Sequence, residues 1–331
     1  MADQELDETL LTHGSASPFL PNTHIQFAWD STCLGLIKTC PRLYQYTMID
    51  GYVAKGESIH LRFGIEYHQA LQDYDIARAE GIDHEDAIHA TISDLVRRTH
   101  DWSVDETVKP GKYKNRTTLV SLVVDYLDHY VDDPAETYIK SDGKPAVELS
   151  FRFELDFGPG HLGDSDSVTH PYLLAGHMDR VVSFNDQLFV MDHKTTTTTP
   201  SQYYFNQYEP HNQMTLYTIA GQVVLNAPIK GVIVRAAQIL LDKENRFVSG
   251  FTLRTPDQLE EWMNDLRIHL ERAEEYATRG YWPMNDTSCN NYGGCKFRGV
   301  CSKSPSVREI YLKSDFEQVP KDEIWSPLRS R

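Results

Sequence analysis

Three short segments carry residue types able to do hydrolytic chemistry: Gly176-His177-Met178-Asp179-Arg180, Val190-Met191-Asp192-His193-Lys194, and Phe184-Asn185-Asp186-Gln187 between them. Asn and Asp tolerate the positive φ of a two-residue hairpin loop, so Asn185-Asp186 is read as such a turn. Phe184 then pairs with Gln187, and the same register sets Asp179 opposite Asp192. Because strand side chains alternate, the two carboxylates and Lys194 share one face and His193 lies on the other. Like charges directly opposite destabilise a sheet unless something neutralises them. A divalent cation is the natural candidate, and oxygen ligands suit Mg²⁺ or Mn²⁺. The plain alternative is a surface hairpin whose charges are solvated. Gln213 and Tyr217 are four apart in a helical segment, so they share a face that could reach a substrate backbone and the tip of Lys194. His68 follows Gly64 by four, where the missing side chain would let another chain approach.

A second constellation is Cys289, Cys295 and Cys301, three thiols at equal intervals of six. A fourth ligand is needed; Cys40, in Thr39-Cys40-Pro41-Arg42, is the better candidate and Cys33 the spare. Four thiolates take either zinc or an iron-sulfur cluster. The paired Cys-x-x-Cys of most zinc ribbons is absent, which favours the cluster. A basic run of Lys109, Lys112, Lys114 and Arg116, with Tyr113 among them, has the make-up of a phosphate-tracking and stacking surface. Its plain alternative is a solvated loop.

These residues need elements to hold them. Residues 1–25 lack a sustained period and read as a weakly ordered lead-in. Helical periods follow over about Leu61–Ala79, from Asp83 with Ala87, Ile88, Ile92 and Leu95 on one face, and over about Thr117–Tyr130. Together they form a helical region over 61–135. The period changes to two at Val147–Phe153, a strand. The Gly-, Asp- and Ser-rich stretch Asp156–His170 predicts a mobile loop. Further strands are expected at Tyr172–Phe184, Gln187–Lys194, Val232–Leu240 and Phe247–Leu253, with a helix at Gln213–Val224. Thr255-Pro256-Asp257-Gln258 is a capping box that opens a helix ending near Gly280. A polar tail over 303–331 shows no strong period. The order implies a mixed α/β core over 145–255.

Composition bounds the function. The chain has 331 residues, 32 Lys and Arg against 48 Asp and Glu, a net charge of −16 and 40% hydrophobic residues. No apolar run approaches the roughly 20 residues that cross a bilayer, and the acidic start Met1-Ala2-Asp3-Gln4-Glu5 lacks the basic and apolar parts of a secretion signal. A cytoplasmic protein with no membrane partner is expected, whose five cysteines are ligands, nucleophiles or core thiols rather than a disulfide framework. The acidic balance argues against nucleic-acid binding through overall charge, so a phosphate partner needs a local basic site or a metal.

Gly64-x-x-x-His68, Gly176-x-x-Asp179, Asp192-x-Lys194 and Gln213-x-x-x-Tyr217, in that order, resemble the RecB-type branch of the PD-(D/E)XK nuclease superfamily. Cys40 with Cys289, Cys295 and Cys301 resembles the iron-sulfur clasp of its AddB-like members, of nucleases of CRISPR adaptation and of phage exonucleases. The resemblance implies a restriction-endonuclease-like α/β fold, a mixed central sheet flanked by helices, occupying 26–302. It implies an N-terminal helical region and a 4Fe-4S clasp joining the N- and C-terminal segments. His68, Asp179 and Asp192, with the backbone carbonyl of His193, would hold Mg²⁺ or Mn²⁺. Lys194 would orient or deprotonate the attacking water and offset charge on the phosphate. Gln213 and Tyr217 would position DNA and Lys194, with Lys112, Lys114 and Arg116 also on DNA, and Glu148 would be an outer acid. The implied activity is a metal-dependent exonuclease acting on DNA ends or single strands in recombination, repair or phage DNA processing, with a partner protein in that pathway. Competing classes are a DNA-end-binding protein that does not cut and a zinc-stabilised RNA-binding protein.

Overall fold

The computed structural model of the protein describes residues 17–56, 58–160 and 170–329. Most of the expected lead-in and of the expected loop, residues 1–16 and 161–169, lies outside the described residues. In chain order the elements are β1 (Ala28–Trp29), α1 (Ser31–Thr39), α2 (Pro41–Tyr44), a π-helical turn (Gln45–Ile49), β2 (Tyr52–Ala54), α3 (Ile59–Ala79), α4 (His84–Arg98), α5 (Arg116–His129), β3 (Glu136–Thr137) and β4 (Val147–Glu154). They continue as β5 (Leu173–Phe184), β6 (Gln187–Thr196), α6 (Gln202–Phe205), α7 (Asn212–Leu225), β7 (Ile229–Gln238), β8 (Arg246–Leu253), α8 (Pro256–Arg279), α9 (Arg298–Cys301), α10 (Arg308–Asp315) and β9 (Phe316–Gln318). Two compact units are formed, one from Gly56–Phe151 and His177–Met263, the other from Met1–Lys55, Arg152–Gly176 and Asn264–Arg331.

The first unit packs three helices on a mixed sheet. Each helix starts at a side-chain cap that satisfies an orphan N–H: Ser58 accepts from Leu61, Asp83 from Asp86, and Asn115 and Thr118 cap each other reciprocally. Phe63, Tyr67, Leu71 and Tyr74 form one stripe of α3, and this stripe meets Leu95 of α4 and Leu119, Leu122 and Val123 of α5 in a single core. Complete burial of a side chain of this size stabilises by roughly 1.5–3 kcal/mol. The seven-stranded sheet runs β1, β5, β6, β7, β8, with β3 and β4 also pairing with β5. β5 is antiparallel to β6, β6 parallel to β7, and β7 antiparallel to β8. A parallel neighbour requires a crossover, which α7 supplies between β6 and β7. Asn226 ends α7 in the left-handed conformation (φ 46°), as a C-terminal Asn does readily.

The second unit holds β1, α1, α2, β2, most of α8 and everything after it. Asp30 caps α1 by accepting from the Cys33 N–H at 2.7 Å. The expected unpatterned tail is instead structured: α10 leads into β9, which pairs antiparallel with β2 through Tyr52–Gln318, Val53–Glu317 and Ala54–Phe316. Tyr46, Tyr52, Phe297, Val300, Leu312 and Phe316 bury one another there. The tail lacks an audible period because its apolar residues close on a short strand far away in sequence rather than on a regular face. Among the described residues no helix is long and apolar enough to cross a membrane.

Candidate active site

The β5–β6 hairpin has the expected turn. Asn185 and Asp186 have φ of 50° and 58°, the left-handed pair that a tight two-residue loop needs. The register is the expected one from Phe184–Gln187 to Arg180–Met191. Beyond that pair the next contact is made by a side chain: Asp179 Oδ2 accepts from the His193 N–H at 3.0 Å. His68, on α3, brings Nδ1 to the same oxygen at 3.1 Å. A carboxylate only accepts, so the proton sits on that nitrogen.

Asp192 is 1% exposed. Lys194 Nζ lies 3.0 Å from its Oδ1 and 2.8 Å from its Oδ2, but only the Oδ1 contact has hydrogen-bond geometry. Oδ2 is therefore a buried acceptor without a hydrogen bond. Lys194 also donates to Gln213 Oε1 at 3.1 Å, and Gln213 Nε2 donates to the Tyr217 hydroxyl at 3.1 Å. Asp192, Lys194, Gln213 and Tyr217 thus form one polar chain from β6 to α7.

Burial and pairing set the charges. For Asp179, burial opposes ionisation, yet His68 and His193 hold the carboxyl well below the usual carboxylate range. For Asp192 burial wins and raises the group, with Asp179 adding to the rise and Lys194 opposing it. Burial would lower Lys194, but Asp192 and Asp179 more than offset it, so its ammonium is held above the ordinary lysine range. His68 is also raised, Asp179 overcoming its burial. Burial pushes His193 down to about 4, so its ring is neutral near pH 7.

A second layer, not expected from the sequence, fixes His193. Its Nε2 lies 3.0 Å from the Tyr126 hydroxyl, to which Arg235 donates at 3.2 Å. Arg235 is clamped by Asp133 at 2.6 and 3.1 Å and lies 3.8 Å over the Tyr130 ring. The available signal was an arginine inside the apolar run Val232-Ile233-Val234-Arg235-Ala236-Ala237. A charge there must be paired.

In the other unit, Cys40 and Cys289 share one residue: the Asn285 N–H donates to Cys40 Sγ at 3.3 Å, and Cys289 Sγ lies 3.8 Å from the Asn285 carbonyl. The Cys295 N–H donates to the Cys289 carbonyl at 2.9 Å. Burial raises the Cys301 thiol, and Arg308 and Arg42 oppose the rise. Cys33 is fully buried, its thiol pushed well up by burial and by Asp30. Among the described residues no three His, Cys, Asp or Glu side chains are grouped closely enough to hold a metal ion.

A sequence model of the PD-(D/E)XK nuclease superfamily matches residues 32–302. The chain belongs to the PD-(D/E)XK nuclease superfamily. No curated protein matches the chain. Among solved structures it is similar to a protein of Eubacterium rectale described as a "Putative exonuclease", at 11% identity, covering 93% of this chain and 98% of that one with a TM-score of 0.47. It is also similar to the protein SSO0001, at 11% identity, covering 73% and 76% with a TM-score of 0.28.

For a nuclease of this superfamily the basic run needs correcting. Lys114 is 7% exposed; its Nζ donates to Thr195 Oγ1 at 3.1 Å and lies 5.2 Å over the Phe63 ring. Arg116 donates to the Val96 carbonyl at 2.8 Å and to Thr99 Oγ1 at 3.2 Å, and so satisfies the C-terminal end of α4. Neither is a free cation on an open surface; Lys112 is exposed. A Cβ on Gly64 would meet nothing within 4 Å, so the protein's own packing does not require that glycine.

Proposed function

We propose that this nuclease is a metal-dependent deoxyribonuclease of the RecB/AddB-like branch, an exonuclease hydrolysing phosphodiester bonds at DNA ends or in single strands. The observation that carries it is the buried Asp192 beside Asp179, both of its oxygens near Lys194 Nζ but Oδ2 without a hydrogen bond. An acceptor left without a hydrogen bond in a buried site is costly, and a cation would satisfy it. The donor types suit a hard divalent ion such as Mg²⁺ or Mn²⁺; Asp179, Asp192, the His193 carbonyl and His68 would hold it, drawing closer around it than they stand here. When bound, such an ion neutralises charge at the scissile phosphate and makes the attacking water more acidic.

The chain's own groups supply the rest. Lys194 presents a fixed positive charge to the oxygen that gains charge as the phosphate is attacked. Gln213, backed by Tyr217, keeps the Lys194 side chain from swinging into solvent. His68 and the His193 N–H hold Asp179 in one rotamer, and the Tyr126–Arg235–Asp133 chain holds the His193 ring. Asp179, Asp192 and Lys194 are all present, which favours cutting over a DNA-end-binding role.

The same reading gives Cys40, Cys289, Cys295 and Cys301 a 4Fe-4S cluster. Support comes from the Asn285 N–H aimed at Cys40 Sγ, since hydrogen bonds to sulfur are a feature of cluster ligands. Cys33, buried against Asp30, is outside the set. Lys112 would contact DNA phosphates, and Glu148, held at φ 46° within β4, would be an outer acid. A partner protein in recombination or repair belongs to this reading.

The deciding experiment uses end-labelled oligonucleotides, single- and double-stranded, with either 5′ or 3′ end blocked, in Mg²⁺ or Mn²⁺. Ladder products that vanish when one end is blocked are expected. Products cut internally regardless of blocking would overturn the exonuclease reading, and the absence of any cleavage would overturn the nuclease one.

A further inference from the structure

The most exposed large apolar side chain among those on the described surface is Tyr203, at 87%. It stands on α6, the single helical turn Gln202–Phe205 that follows β6. An exposed tyrosine alone needs no explanation, but the way this turn is fastened does.

Phe205, two residues on, is seated on Gly250 of β8: a Cβ at Gly250 would overlap the Phe205 ring. Gly250 pairs with Val234 of β7, and Val234 pairs with Asp192 of β6. Asp192, Val234 and Gly250 are therefore one row across three strands, and residues in one row point to the same face. The Phe205 ring sits on the Asp192 face of the sheet, two strand spacings away, or about 10 Å. Next to it, the Tyr204 hydroxyl lies 3.3 Å from that of Tyr208. The turn has one anchor in the sheet, one ring against Tyr208 and one ring left over. That third ring, Tyr203, is held outward beside the catalytic face.

We propose that Tyr203 is a stacking platform for a nucleobase flanking the scissile phosphate, and that it positions the strand against Asp192 and Lys194. The proposal rests on the nuclease reading above and assigns it a substrate-positioning residue. An aromatic face suits this task because every base has a π-face, so a platform grips a strand without reading its sequence. It also gives a chain of net charge −16 a hold on a polyanion that does not depend on charge. The rigid anchor at Gly250 removes much of the entropic cost of ordering the ring on binding.

The test compares wild type, Tyr203→Ala and Tyr203→Phe on a single-stranded oligonucleotide, intact or with abasic sites at the positions flanking the cut. Both the binding constant without divalent ion and kcat and KM with it are measured. Loss of one stacking contact is expected to weaken binding and raise KM by about 5- to 140-fold, with kcat changed less. Phe should restore the wild-type values to within about 2-fold. Abasic substrate should bring wild type down to the level of Tyr203→Ala, while leaving Tyr203→Ala itself unchanged. Equal binding by wild type and Tyr203→Ala would overturn the proposal, and so would abasic and Ala effects that multiply. Absence of cleavage by the wild type would overturn the nuclease reading instead, and the binding measurements would still decide on Tyr203.

Discussion

Replacing Lys114 by Met should make the protein more stable at neutral pH without weakening its hold on DNA. Burial lowers this ammonium from the ordinary 10.5 to about 8, and no carboxylate pairs with it in the described contacts. That gap corresponds to about 3 kcal/mol against the folded state while the group is protonated in both states. The Thr195 hydrogen bond and the Phe63 contact offset about 1–2 kcal/mol of this, so the expected gain is about 1–2 kcal/mol at pH 7. The sign with pH follows from linkage. Between pH 8 and 10.5 the unfolded chain binds more protons at Lys114 than the folded one, so wild-type stability at this site rises with pH. The advantage of Lys114→Met is therefore full below pH 8 and fades toward pH 10.5. Urea unfolding of both proteins at pH 7, 9 and 10.5 measures it. The salt dependence of DNA binding supplies a second reading: its log–log slope should be unchanged in Lys114→Met and smaller by about 0.7 in Lys112→Ala. A Met variant less stable than wild type at pH 7, or a difference constant across the three pH values, would refute the reasoning.

Asp192→Asn and Lys194→Ala should each lower kcat by at least about 100-fold, as removal of a transition-state charge partner does; rates near wild type in Mg²⁺ and Mn²⁺ would move the active site elsewhere. Gln213→Ala should cost less, about 10-fold in kcat, because it positions Lys194 rather than meeting the phosphate. Steady-state kinetics on one oligonucleotide checks the ranking. Cys40→Ala, Cys289→Ala, Cys295→Ala and Cys301→Ala should each abolish the brown colour of a cluster and lower the melting temperature, while Cys33→Ala stays brown. Visible absorption with iron analysis decides, and colour lost only in Cys33→Ala would exchange the fourth ligand.

What could be read in the sequence was local. The β5–β6 register followed from one Asn-Asp turn and a period of two, and Gln213 with Tyr217 from a spacing of four. What could not be read depended on distant partners. Strand β2 is three residues long and exists because β9 reaches it, with Lys55 also bonding Ser314, 259 positions away. Lys114 reads as a solvated cation beside Lys112 until Thr195 and Phe63 close over it. Arg116 reads as a phosphate ligand until its role at the end of α4 is seen. The Tyr126–Arg235–Asp133 chain joins α5 and the segment after it to β7, more than 100 positions on, so no single window contains it.

The pairing of β2 with β9 also sets an order of events during synthesis. At about 5–20 residues per second, β2 leaves the ribosome roughly ten seconds to a minute before its partner, across the 259 positions that separate Lys55 from Ser314. Over that interval Tyr46 and Tyr52 lack Phe297, Leu312 and Phe316, the residues that bury them. The unit with Asp179, Asp192 and Lys194 has all its strands by Leu253. A nascent chain can thus complete its catalytic sheet before its cysteine unit, and chaperones would meet the exposed tyrosines of β2 and the π-helical turn first.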